Sequence, residues 1–226
     1  MSVLVANGHD LSGTTAQRPS NVEAGQTYYN TTLGELQVYS GSAWQSAAVS
    51  AGTGVGAAAG TGVAATEGGN GIVQSTTLTF TNAAVTLADE AGVVAYGGLK
   101  VYDMPAGNIV VLGAVSDLAL TLSAAGVNAD WDGDFGVGTV TASNNATLSS
   151  TEQNIIPTTA TPQAVSSATT ADGESTAVAV IDGTATAADI YLNFLVDDAD
   201  HDVTSTPTNI VVNGTLKLFW MNLGDN

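Results

Sequence analysis

Asp189-Ile190-Tyr191-Leu192-Asn193-Phe194-Leu195-Val196 sets the class of fold. Side chains of an extended strand point alternately to opposite sides, so Ile190, Leu192, Phe194 and Val196 share one face, and that face is apolar throughout. The reading is a strand lying on a core with one face. Working outward, β-branched and alternating runs predict further strands at Thr76 to Phe80, Val93 to Tyr96, Leu99 to Tyr102, Ile109 to Val115 and Ala119 to Ser123. Others are predicted at Phe135 to Ala142, Thr176 to Ile181, Asn209 to Val212 and Thr215 to Met221. Asn213-Gly214 lies between the last two and tolerates the positive φ angles of a type I′ turn, which predicts a hairpin there.

No segment carries sustained helical periodicity, although Gln163 to Thr170 allows a short helical turn. The expected fold is all-β, a jelly-roll-like sandwich over residues 72–226. Residues 50–71 are rich in Gly and Ala and read as a linker, because glycines leave little side chain to pack. Residues 1–49 form a separate arm and hairpin module: Gln26 to Asn30 and Glu35 to Tyr39 are strand-like, Thr31 to Gly34 joins them, and a turn at Ser40-Gly41 leads to Trp44. A unit this small must dock on the main domain, on a copy of itself or on a partner.

Charge removes whole classes of function. The 226 residues carry 21 Asp and Glu against 3 Lys and Arg, a formal net charge of −18. Such a surface repels phosphate backbones and anionic headgroups, so nucleic acid and membrane surfaces are not expected partners. Most of the charge lies beyond residue 71, where only Lys100 and Lys217 oppose the acids. With 44% hydrophobic residues the chain can bury a core, and with no Cys it has no disulfide or thiol chemistry. The N-terminus shows no basic region followed by a long apolar run, and no stretch reaches the ~20 apolar residues of a membrane helix, so synthesis in a cytoplasm is expected.

Chemistry has few candidates. Only His9 and His201 titrate near neutrality without a shifted pKa, and no nucleophile elbow, P-loop or His-Glu-x-x-His motif occurs. An enzyme is not expected. Two acidic runs, Asp130-Trp131-Asp132-Gly133-Asp134 and Asp197-Asp198-Ala199-Asp200-His201-Asp202, place carboxylates at spacings that can converge on Ca²⁺. Solvated turns are the simpler reading, and the first run lacks the glycine and glutamate positions of an EF-hand loop. Asp130, Asp132, Asp134, Asp197, Asp198, Asp200 and Asp202 are the candidate ligands. Trp220 reads as a packing residue, while Trp131, flanked by Asp, reads as a contact residue.

Gln17-Arg18-Pro19, Gly25-Gln26-Thr27-Tyr28-Tyr29-Asn30, Gly34-Glu35-Leu36-Gln37-Val38-Tyr39 and Ser42-Ala43-Trp44 together resemble a short module of tailed-bacteriophage structural proteins. The segments 125–134 and 195–202 look like parts of virion proteins of marine-type tailed phages. The resemblance implies a virion component without catalysis. Among virion parts, a small-residue sandwich with an N-terminal arm and no heptads fits a capsid decoration (cement) protein on the outer capsid surface. Its expected partners are the major capsid protein and its own copies, as a homotrimer, with no resident cofactor. Arg18, Pro19, Tyr28, Tyr29, Tyr39 and Trp44 are the expected attachment residues. The competing expectation is a head- or tail-fibre component whose sandwich binds a receptor or glycan.

Overall fold

A computed structural model describes residues 11–46, 56–69, 73–89, 94–197 and 200–224. The chain divides into two compact units, one of residues 1–51 with 70–72 and one of residues 52–69 with 73–226. In the first unit, β1 (Ser12–Gly13), β2 (Thr27–Asn30), β3 (Glu35–Tyr39) and β4 (Trp44–Ser46) form one sheet in that order. β1 runs parallel to β2, and the other pairs are antiparallel. The expected hairpin is present. Asn30 builds its turn, its side-chain oxygen accepting the backbone N–H groups of Thr32 and Leu33 at 3.0 and 3.2 Å, with Gly34 supplying φ +70°.

The second unit is a sandwich of two antiparallel sheets. Its strands are β5 (Ala57–Ala58), β6 (Val63–Gly69), β7 (Gln74–Thr86), β8 (Ala88–Asp89), β9 (Val94–Asp103), β10 (Gly107–Leu122) and β11 (Gly133–Gly138). There follow β12 (Ile156–Thr161), β13 (Ala168–Thr170), β14 (Gly173–Glu174), β15 (Ala179–Gly183), β16 (Asp189–Asp197) and β17 (Asn209–Asn222). The larger sheet has the order β13-β10-β17-β7-β6, with β14 and β15 also paired to β10; the smaller has β12-β11-β16-β9-β5, with β8 on β9. Inner faces of both sheets contribute to one core, in which Trp131, Trp220, Tyr102, Phe135 and Phe194 are the largest fully buried side chains.

Five expectations are corrected. Residues 56–69 are not a linker, because β5 and β6 are edge strands of the two sheets. A buried polar network holds them: the Glu67 carboxylate accepts from Tyr102 Oη–H and Thr76 Oγ1–H at 2.7 Å each, and Thr76 Oγ1 accepts the Trp220 indole N–H at 2.9 Å. The Asn213-Gly214 hairpin does not form. β17 passes straight through, flanked by β10 and β7 along its length. The dipeptide sits instead at a bulge, where β7 inserts Asn82 at φ +50° and Asn213 Oδ1 accepts its N–H at 2.9 Å.

Gly97-Gly98 likewise joins two expected strands into β9. An added Cβ at Gly97 would lie 2.5 Å from the Thr86 carbonyl oxygen, so these glycines permit close approach rather than a turn. Residues 163–170 form a turn and β13, not a helical turn. Finally, β16 is buried on both faces, since the segment 139–153 crosses over its outer side. There Asn193, fully buried, accepts the Ala142 N–H at 2.8 Å and donates to the carbonyls of Val140 and Glu152 at 2.9 and 2.7 Å. Leu148 and Ala142 pack with Leu195 and Val94 beside it.

Glu67→Ala removes the shared acceptor of two buried hydroxyls and is expected to destabilise the sandwich by about 1–3 kcal/mol. Thermal unfolding should shift downward by several degrees; an unchanged midpoint would mean that residues 56–69 are dispensable to the core.

Candidate functional site

In the first unit, alternation divides the sheet into an occupied and an open face. Tyr28, Asn30 and Gln37 are buried on one side, under residues 13–19. Tyr28 Oη–H donates to the Thr14 carbonyl at 2.9 Å, and the Asn30 amide meets the Thr15 hydroxyl at 3.0 Å. Trp44 stacks at 5.6 Å from Tyr28 and 5.5 Å from Tyr39, while its indole N–H reaches the Pro19 carbonyl at 3.4 Å. Arg18 is folded back, its Nε–H donating to the Thr15 carbonyl at 3.3 Å.

Of the six expected attachment residues, Tyr28, Tyr39, Trp44, Pro19 and Arg18 are therefore engaged inside the unit. Tyr29 alone projects from the open face. Its cross-strand partner is Leu36, 49% exposed, and Leu11 at 47% exposure stands beside them, the Tyr29 N–H donating to its carbonyl at 2.8 Å. Leu11, Thr27, Tyr28, Tyr29 and Leu36 line a groove of about 340 Å³. Neither Leu11 nor Leu36 carries a motif or an aromatic ring that singles it out in the sequence. The parity of Tyr28 and Tyr29 on one strand was the available signal.

The acidic runs meet at one end of the sandwich. β11 and β16 are neighbours in register, with Asp134 opposite Leu195 and Gly133 opposite Val196. Asp132 and Asp200 are brought together: the Asp132 backbone N–H donates to Asp200 Oδ2 at 3.3 Å, and the Asp197 N–H to the Asp132 carbonyl at 3.3 Å. Partial burial, and then the neighbouring Asp197 and Asp200 charges, raise the Asp132 pKa above the ordinary carboxylate value. Burial first and like charge second also raise Asp134 and Asp197.

Asp202 behaves differently. Its carboxylate accepts from the hydroxyls of Ser205 at 2.8 Å and Thr204 at 3.0 Å, which lowers its pKa and assigns it to a local turn. Asp130 is exposed, and Asp198 and His9 lie outside the described residues. Among the described residues no group of three or more His, Asp or Glu is placed to hold a metal ion. Trp131, expected as a contact residue, is fully buried in the core beneath this end. The open depression nearby, about 430 Å³ and edged by residues such as Leu122, Val127, Asn128 and Ser167, has no aromatic lining.

Comparison of the chain with protein-family models, with curated proteins and with solved structures finds no match in any of the three.

Because the Asp132, Asp134 and Asp197 carboxyls have raised pKa values in the native state and so lose their protons at higher pH than in the unfolded chain, these groups favour folding most at acidic pH, and stability falls as pH rises through the carboxylate range. Asp132→Asn is expected to raise the melting temperature at pH 7 by on the order of 1–2 °C, with the gain disappearing below the ordinary carboxylate pKa. The Ca²⁺ expectation is read in the same assay. A rise on adding Ca²⁺ that a chelator reverses supports it, and no rise removes it.

Proposed function

We propose that this chain is a bacteriophage capsid decoration (cement) protein, which binds the outer surface of the major capsid lattice through its N-terminal unit and stabilises the head by contact rather than by catalysis. The observation that carries the reading is the open apolar face of Leu11, Tyr29 and Leu36, set in the part of the sequence that resembles a tailed-phage structural module. A protein partner is the natural occupant of such a face, since an exposed apolar patch gains from burial against another apolar surface. Between residues 11 and 46 the charges are only Arg18, Glu23 and Glu35, so approach to another protein meets little repulsion.

The sandwich supports the same role. We read its order as a jelly roll: β7, β10 and β17 with the β13 to β15 column, flanked by edge strand β6, form one sheet, and β9, β11, β12 and β16, flanked by β5, form the other. Jelly rolls are common in viral capsid and lectin domains. The acidic surface disfavours contact with packaged nucleic acid and agrees with the solvent side of a shell. The fibre or glycan-binding alternative has less support. Its best depression lacks an aromatic platform, and Trp131 is unavailable as one.

In purified virions, the band of this chain should approach the major capsid protein in copy number; a small fraction of it would point to a fibre or tail part. Leu36→Asp should weaken binding to heads by at least about tenfold, while unfolding of the sandwich is unchanged. Undiminished binding would place the attachment surface elsewhere.

A further inference from the structure

Each sheet of the sandwich has two edges, and three of the four are guarded. The larger sheet ends on one side in β13, β14 and β15, separate pieces of three, two and five residues. The smaller ends in β12, which contains Pro157, and on its other side in β5 and β8, of two residues each. Short strands and proline keep other chains from adding to a sheet. β6 has neither. Its seven residues, Val63-Ala64-Ala65-Thr66-Glu67-Gly68-Gly69, run in unbroken register with β7. The one charge among them, Glu67, is turned inward and engaged by Thr76 and Tyr102, so it does not guard the edge.

The open main-chain groups of β6 can be assigned. The Gly62 carbonyl accepts the Thr81 N–H at 2.8 Å, and bonded and unbonded positions alternate along an antiparallel pair. With this register Ala64, Thr66 and Gly68 bond to β7, while Val63, Ala65, Glu67 and Gly69 turn their N–H and C=O groups away from it. Those outward groups have no hydrogen-bond partner among the described residues. The surroundings are neutral: Ala64, Thr66 and Gly68 on the outer face of β6, and Ser75, Thr77 and Thr79 beside them on β7, carry no charge in a chain whose formal charge is −18.

We propose that β6 pairs antiparallel with β6 of a second copy, about a two-fold axis that passes through Thr66 perpendicular to the sheet, so that the larger sheets of two sandwiches continue into one another. This register uses the whole strand: Thr66 lies opposite Thr66, Ala65 opposite Glu67, Ala64 opposite Gly68 and Val63 opposite Gly69. Outward-turned residues then meet outward-turned residues, as bonded pairs require. Thr opposite Thr is a favourable cross-strand pair, and no charge stands directly opposite its like. The two Glu67 residues are diagonal neighbours roughly 7 Å apart at Cβ, and each carboxylate is held by two hydroxyls of its own chain. A charged strand from another protein would find no opposite charge along this edge. A neutral strand of equal length fits, and the chain itself supplies one. An edge contact roughly 24 Å long buries less than the about 800 Å² per partner of a standard interface, so association in the micromolar range is expected. Pairing about a two-fold axis closes at two copies, in place of the three expected from sequence, and it does not depend on the capsid reading.

Sedimentation equilibrium of the full chain, loaded from micromolar to several hundred micromolar, tests it. The wild-type mass should rise with concentration towards twice the 22.5 kDa of one chain and no further. Thr66 is exposed and, in this register alone, faces itself. Thr66→Lys and Thr66→Glu should therefore each raise the dissociation constant by about threefold or more, and an equimolar mixture of the two should associate at least as well as wild type. Thr66→Lys is the sharper single change, because it lowers the net negative charge and would strengthen association if general repulsion were the only force. Ala65→Pro removes an outward N–H without touching the ladder to β7, and should weaken the dimer by at least about tenfold with the far-UV circular dichroism of wild type. Should that variant unfold, the Thr66 variants decide the matter alone. A wild type that stays monomeric or forms trimers, Thr66 variants that dimerise normally, a mixture that fails to recover, or a folded Ala65→Pro that dimerises normally would each overturn the proposal.

Discussion

Two sheets sharing one core impose a parity on every long strand, and the remaining architecture follows from it. Residues of one parity must be apolar because they meet the opposite sheet, while residues of the other are left to solvent, to a covering loop or to a partner. β17 obeys the rule from Ile210 through Val212, Leu216 and Leu218 to Trp220 without a change of phase. Its continuity in turn gives β10 and β7 a common neighbour. The small sheet of the first unit follows the same rule with Tyr28 inward and Tyr29 outward.

The same parity explains what was legible in the sequence. Ile190, Leu192, Phe194 and Val196 announced an all-β core, and the 26–39 hairpin was readable from its turn residues. At Asn213-Gly214 a local turn signal conflicts with a longer-range one, and the longer-range one prevails. A two-residue turn would pair Val212 with Thr215 and send Leu216, Leu218 and Trp220 to the face opposite Val212. The apolar set keeps its even numbering across the dipeptide, so the contradiction was present in the sequence.

Other features depended on partners distant in the chain. Residues 56–69 have low-complexity composition, but Glu67 finds Thr76, Tyr102 and β7 alongside it, and no local pattern reveals that tether. Alternation puts Asn193 on the solvent side of a strand, but the segment 139–153 folds over it. Two of the aromatic attachment candidates, Trp44 and Tyr28, fasten the N-terminal residues to their own sheet. What remains outward, Tyr29 with Leu11 and Leu36, is smaller than the sequence implied and better defined.

Function is then a matter of division of labour. The acidic charge is concentrated on the sandwich, whose larger sheet is open on its outer side, and the apolar groove belongs to the nearly neutral N-terminal unit. A low-resolution density map of the virion bearing this chain tests the central claim most directly. The account predicts density on the outer head lattice, with the small N-terminal unit against the major capsid protein. Density confined to a tail, a fibre or the inside of the shell would contradict it.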